Sequence, residues 1–206
     1  MRVSVRNDER ERLVELLRGG SRIVGLDVVE GLPLLHLERQ PGWTLAPVPP
    51  VPALPVRIER LEPPLSTTVV EGIEAVHRAV FGEEPGETYP WLQQRPGATC
   101  FVAWHEGQVV GFKFGAELNP QQHHSHEGGV LPAFRRRGVA RALMTAQHDW
   151  ACSWGATAVT TNTMNDLVPM LLLNLSVGFD VMGVEARDGQ TKLRLRKQLG
   201  TSTRTS

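Results

Sequence analysis

The 206-residue chain has no surplus of either charge: 22 basic and 22 acidic residues leave a formal net charge of zero. A broad nucleic-acid footprint needs surplus positive charge on one face, so nucleic acid is not an expected partner. No apolar run approaches the roughly 18 residues that a membrane span needs, and no membrane partner is expected. The N-terminus, MRVSVRNDERERL, lacks the apolar stretch of a secretory signal, which makes a cytoplasmic location the default expectation. Cysteine is scarce. Cys100 and Cys152 both sit inside apolar patterns and read as reduced core thiols. Lysine and tyrosine are scarcer than usual too: only Lys113, Lys192 and Lys197 stand among the 22 basic residues, and Tyr89 is the single tyrosine.

Proline is concentrated rather than absent. Residues 41–64 carry eight of the fifteen prolines, beginning PGWTLAPVPPVPALP. Such a stretch cannot run as helix or central strand and reads as a stiff connector. It sets off an N-terminal extension (1–54) from a main domain (55–199), with a disordered tail at 200–206. In the extension, Asp8 and Glu11 have capping-box spacing before a helix to Arg18, and Ile23–Val29 and Leu32–Leu37 read as strands. A piece this short makes a marginal core alone, so it is expected to dock on the main domain.

Hydrophobic periodicity organises the rest. Strands are expected at Val56–Leu61, Ala98–Trp104, Gln108–Glu117, up to Val130, and at Ala156–Thr161, with a closing hairpin of Phe179–Ala186 and Lys192–Lys197 around Asp188-Gly189. Helices are expected at Thr67–Phe81, Tyr89–Gln94, Arg137–Trp154 and Val168–Val177. Alternation in the second long strand groups Val110, Phe112, Phe114 and Ala116 on one face. Asn119–His126 reads as a polar loop. Its His123-His124-Ser125-His126 run is expected to bind no metal. Trp104, Trp150 and Trp154 read as packing residues. The order β-α-α-β-β-β-α-β-α-β-β describes a mixed-sheet α/β domain.

The stretch EGGVLPAFRRRGVARALM ends a strand and opens a helix without a side-chain cap. A helix start exposes unpaired N–H groups and the positive end of the dipole. A turn of inward-pointing N–H groups forms an anion nest, and Gly138 lets an anion approach the backbone. With Arg135, Arg136, Arg137 and Arg141 nearby, the turn suits a pyrophosphate. It is neither a Walker loop nor a dinucleotide fingerprint, since GxxxxGK[ST] and GxGxxG are both absent.

These residues resemble motif A of the GNAT superfamily of N-acetyltransferases: a strand, then Val130-x-Pro132-x-x-Arg135-x-x-Gly138-x-Ala140. Downstream, Asn174-Leu175-Ser176-Val177-Gly178-Phe179 looks like that family's later helix and its Gly-Phe exit. Gly128-Gly129-Val130, Gln147-His148-Asp149-Trp150 and TNTMNDLVPMLLLNLSVGFD at 161–180 resemble an uncharacterised bacterial subgroup. The resemblance covers roughly residues 56–198. It implies the GNAT fold, a mixed and mostly antiparallel sheet flanked by helices, here with a short N-terminal α/β extension. It implies acetyl-CoA as acyl donor, held by Gly129, Val130, Arg135, Arg136, Arg137, Gly138, Val139, Ala140 and Arg141, with Asn165 fixing the pantetheine arm and Asn174 near the sulfur.

Acyl transfer to an amine requires deprotonation of the amine, a donor for the oxyanion and departure of a thiolate. The Val130 N–H is the expected oxyanion donor; Glu127 is the first choice of base among Glu127, His126 and His124, with water as the alternative. Many members of the family carry a tyrosine acid where this chain has Asn174. A thiol pKa near ~8.5 lets the thiolate leave without full protonation, so Asn174 is expected to hydrogen-bond it. Glu117 and His126 are candidate acceptor-binding residues. The expected activity is an acetyltransferase acting on a small-molecule or protein primary amine. A catalytically inactive acyl-CoA sensor or interaction module is the alternative, and a homodimer is compatible with the family.

Overall fold

The computed structural model describes residues 2–42, 44–45, 51–82, 90, 94–95, 97–187 and 189–200. The expected Tyr89–Gln94 helix lies largely outside the described residues, as do much of the proline-rich connector, Asp188 and the 201–206 tail. The chain divides into two units, Met1–Val48 with Thr160–Gln198, and Pro49–Val159 with Leu199–Ser206.

The second unit is built from β4 (Arg57–Leu61), α2 (Thr67–Phe81), β5 (Ala98–His105), β6 (Gln108–Asn119), β7 (Gln122–Val130), a 3-10 turn (Pro132–Phe134) and α3 (Val139–Ser153). β8 (Ala158–Met164) crosses the division between the units. β4, β5, β6 and β7 pair in that order, each antiparallel to the next. Alternate residues of β5 serve opposite faces, as the pleat requires. Cys100 and Val102 pack with Val69, Ile73 and Val76 of α2. Phe101 and Ala103 pack with Val139 and Leu143 of α3.

Two irregularities interrupt that alternation. Ala103 faces Gly111 while Trp104 faces Val109, so Val110 is an extra residue in β6. This bulge separates Val110 from Phe112 and Phe114: Val110 joins the core under α3, and the two phenylalanines join the core under α2. The single face expected for all four apolar residues is therefore split. Further along, Lys113 faces Gly128 and Gly115 faces Ser125, which leaves Phe114 opposite both His126 and Glu127.

The segment expected to be a loop at 119–126 is mostly strand. β7 begins at Gln122, because pairing with β6 (Glu117 with His123, Ala116 with His124) overrides the weak strand propensity of QHHSH.

The first unit holds β1 (Arg2–Arg6), α1 (Arg10–Arg18), β2 (Ser21–Val29) and β3 (Leu32–Arg39), with sheet order β1-β3-β2. It also holds α4 (Val168–Ser176) and the antiparallel hairpin of β9 (Asp180–Arg187) and β10 (Gln190–Gln198). β1 carries no clear alternation in the sequence and pairs along its whole length with β3. Glu9, not Asp8, is the N-cap of α1; its carboxylate accepts from Arg6 N–H at 3.0 Å and from Arg12 at 2.8 Å. Those donors hold the Glu9 carboxyl below the ordinary carboxylate range.

Two asparagines tie the N-terminal segment to the later elements of this unit. Asn7 donates to Val181 O at 2.9 Å and accepts from Val181 N at 3.2 Å. Asn165 donates to Ile23 O at 2.7 Å and accepts from Ile23 N at 3.3 Å. Arg10 pairs with Asp180 at 2.7 Å. Both cysteines are free thiols, Cys100 buried and Cys152 partly so. Burial pushes the Cys100 thiol up to about 12, which makes it an inert core residue.

Candidate active site

Between β7 and α3 the backbone makes the turn that the sequence singles out. Arg136 adopts φ 64° and Gly138 φ 86°, so two left-handed residues curl the segment before the helix starts. Glycine serves at 138 for its conformation, because a Cβ built there meets nothing within 4 Å. The open space is what a close-approaching anion needs. The first helical bond runs from Ala142 N to Gly138 O, so the amides ahead of Ala142 lie outside the helical ladder.

The side chains around the turn divide their work. Arg135, Arg136 and Arg141 are exposed and Arg137 is half-buried, a cationic rim of the kind phosphates require. Arg135 also donates from Nε to Val130 O at 3.1 Å, which braces the turn against the strand end. Leu54 N donates to Arg137 O at 3.0 Å and anchors the middle of the turn. Val139 is buried in the core and Ala140 half-buried, so these two contribute backbone rather than polar side chains.

Leu131 N donates to Val110 O at 3.0 Å, which makes Gly111 and Val130 a non-hydrogen-bonded pair of the β6–β7 ladder. The Val130 N–H consequently points away from β6, to the opposite side of β7. Gly129 packs under α2, where an added Cβ would lie 3.1 Å from Val80 Cγ2.

On the α2 side of β7, Glu127 Oε1 lies 3.2 Å from His77 Nε2. His77 is 5% exposed and its ring stacks on Phe112 and meets Phe81 at 4.6 Å between centroids. The apolar surround fixes the imidazole beside one carboxylate oxygen. Glu127 retains partial exposure. His126, next to it, is exposed on the whole; partial desolvation of its ring lowers its pKa, followed by smaller contributions from the Lys113 and Arg95 charges.

Glu117 lies elsewhere. It lines a cavity of about 530 Å³ with Arg60, Arg95, Trp150 and Trp154, on the face covered by α3. Glu117 and Glu127 therefore occupy opposite faces of the β6–β7 pair and do not line one cleft. Trp150 has a double part there, packing against Phe101 and carrying the Arg60 guanidinium 5.5 Å above its ring.

In the other unit, the Asn165 side chain is 8% exposed and both of its amide atoms bond the backbone of Ile23. Its polar atoms hold β2, an assignment that needs a partner 142 residues away and is invisible in a local pattern. Asn174, on α4, is 3% exposed, and its backbone carbonyl accepts from Val177 N and Phe179 N to end the helix.

Two residues that act electrostatically on Glu127 or lie against it were not among the candidate residues. His77 is hidden by its place in the apolar periodicity of α2. Lys113 is half-buried in β6 and held down to about 8 by burial, against a partial opposing pull from Glu127. A lone lysine inside VVGFKFGA, in a chain with three lysines, is the signal that would have found it.

A family model described as the acetyltransferase (GNAT) family matches residues 67–174. No curated protein matches the chain. The ribosomal-protein-S18-alanine N-acetyltransferase from Escherichia coli superposes with a TM-score of 0.61 at 15% identity, over 73% of this chain and 99% of that one. A GNAT family acetyltransferase from Elizabethkingia anophelis with acetyl-CoA bound gives a TM-score of 0.56 at 11% identity, over 70% and 98%. A nourseothricin acetyltransferase is similar at 25% identity; there the chain spans 66% of the other protein and the match covers 50% of this one, with a TM-score of 0.47. At these identities the structural likeness concerns the fold: a mixed, mostly antiparallel α/β GNAT fold.

Proposed function

We propose, for a chain that belongs to the acetyltransferase (GNAT) family, the transfer of an acetyl group from acetyl-CoA to a primary amine by direct attack. The observation that carries this reading is the turn at 135–138, with left-handed Arg136 and Gly138 between the end of β7 and the start of α3. It offers backbone amides, an open approach and four arginines to a pyrophosphate, which is the part of coenzyme A that such a site recognises.

Chemistry then falls to β7. Glu127 takes the proton from the acceptor ammonium, oriented for that by His77. The Val130 N–H, directed away from β6, donates to the oxygen that gains negative charge as the amine attacks. The thiolate leaves without a tyrosine acid, and Asn174 is the hydrogen-bond donor assigned to it. Asn174→Ala is expected to slow turnover modestly; a loss beyond about a thousandfold would contradict that role. His126 is the exposed polar residue nearest Glu127 in sequence on β7 and is assigned to acceptor binding. Glu117, on the other face, is not part of that cleft in this reading.

Thiol release from acetyl-CoA over a panel of small amines and peptides tests the proposal. Amine-dependent release supports transfer. Tight acetyl-CoA binding without release would support a sensor instead.

A further inference from the structure

Lys113 is a nucleophile that the proposed reaction leaves unused. It stands opposite Gly128 in the β6–β7 register, two residues before Val130. Its alkyl chain lies over Gly128 so closely that a Cβ built on that glycine would be 2.9 Å from Lys113 Cδ. Any other residue at 128 would displace the lysine. Gly128 thus keeps the ε-amine against the strand that borders the acyl group, only two bonds beyond Cδ.

The surroundings raise the share of neutral amine. Burial lowers the Lys113 pKa to about 8, with Glu127 acting in the opposite direction. His123 and His126, also on β7, both feel the Lys113 charge, which helps to keep them neutral. A buried lysine serving only to fill space would be better replaced by Met, which has no charge to desolvate.

We propose that Lys113 is a self-acylation site, taking the acetyl group of the protein's own bound acetyl-CoA when no acceptor amine is present. This rests on the acyl-donor reading of the 135–140 turn. In the step, the Nζ lone pair forms a bond to the thioester carbonyl carbon and the carbon–sulfur bond breaks. The sulfur leaves as a thiolate with its electron pair. The proton lost by Nζ passes to water, which the half-buried side chain can reach. The product is a neutral amide and coenzyme A, and no further reactant is needed. The amide carries none of the charge that burial penalises, so the modified side chain suits the site better than the ammonium does.

The composition makes the test clean, because the chain has two other lysines and Lys192 is exposed. The full chain is incubated with acetyl-CoA at pH 8 without an amine, and acetyl groups are mapped by peptide mass spectrometry. Coenzyme A binding is measured in parallel by calorimetry. Proximity predicts that Lys113 is acetylated more than about tenfold faster than Lys192 despite its burial. In urea-unfolded protein the preference should vanish. Coenzyme A binding with Lys113 unmodified, or modified no faster than Lys192, would overturn the inference while sparing the donor reading. Failure to bind coenzyme A would overturn both.

Discussion

His77 and Glu127 meet at 3.2 Å, joining the inner face of α2 to β7 at the point where β6–β7 pairing is irregular. The irregularity matters because Phe114 faces both His126 and Glu127, which directs these two consecutive residues differently from an unbroken ladder. β-Bulges commonly re-aim side chains beside active sites, and here the re-aimed group is the carboxylate assigned as base.

Replacing Gly138 tests the turn. Gly138→Val forces a β-branched residue to φ 86° and should cost about 1–3 kcal/mol of stability or distort the turn. Coenzyme A affinity, measured by calorimetry, should fall about tenfold or more. Unchanged affinity would remove the turn from the donor site.

Asn165→Ala separates structure from donor binding. It removes two bonds to the Ile23 backbone and should destabilise the chain by about 2–4 kcal/mol in urea titrations. Coenzyme A affinity of the folded variant should stay within about twofold. A large loss of affinity with little change in stability would restore Asn165 to the pantetheine site.

His123 predicts a pH dependence. The side chain is fully buried against Trp150, and burial holds its pKa down to about 4 from 6.5. Between those values the unfolded chain binds a proton that the folded chain does not. Its contribution to stability is therefore complete above pH 6.5 and lost as pH falls toward 4, with a slope of at most about 1.4 kcal/mol per pH unit. Denaturant titrations at pH 5 and 7 should differ less for His123→Gln than for the wild type. An identical difference in both proteins would contradict the assignment.

Truncation probes residues 1–48. These supply β1, α1, β2 and β3 and bond Asn165, Val181 and Asp180. Their deletion should leave buried groups unpartnered and give an insoluble or unfolded product. A soluble, coenzyme A-binding truncation would reduce this segment to a recruiting element.

The main elements were legible where periodicity is strong, as in α2, α3 and β5. The phosphate turn was legible because Gly138 and its arginines are local. What escaped detection is non-local. Val110 changes faces through a bulge that leaves the apolar alternation of VVGFKFGA intact. The QHHSH segment is strand only because β6 offers it a partner. Asn165 looks like a loop asparagine until Ile23 is placed beside it. His77 resembles a helix core position, and only its neighbour Glu127 gives it chemical meaning.

The most direct measurement compares amine-dependent thiol release by the wild type and by Glu127→Gln at saturating acetyl-CoA. A rate about 10²–10⁴-fold lower is expected in the variant, with coenzyme A affinity unchanged. Equal rates in the two proteins, or donor binding by the wild type with no amine-dependent release at all, would contradict it.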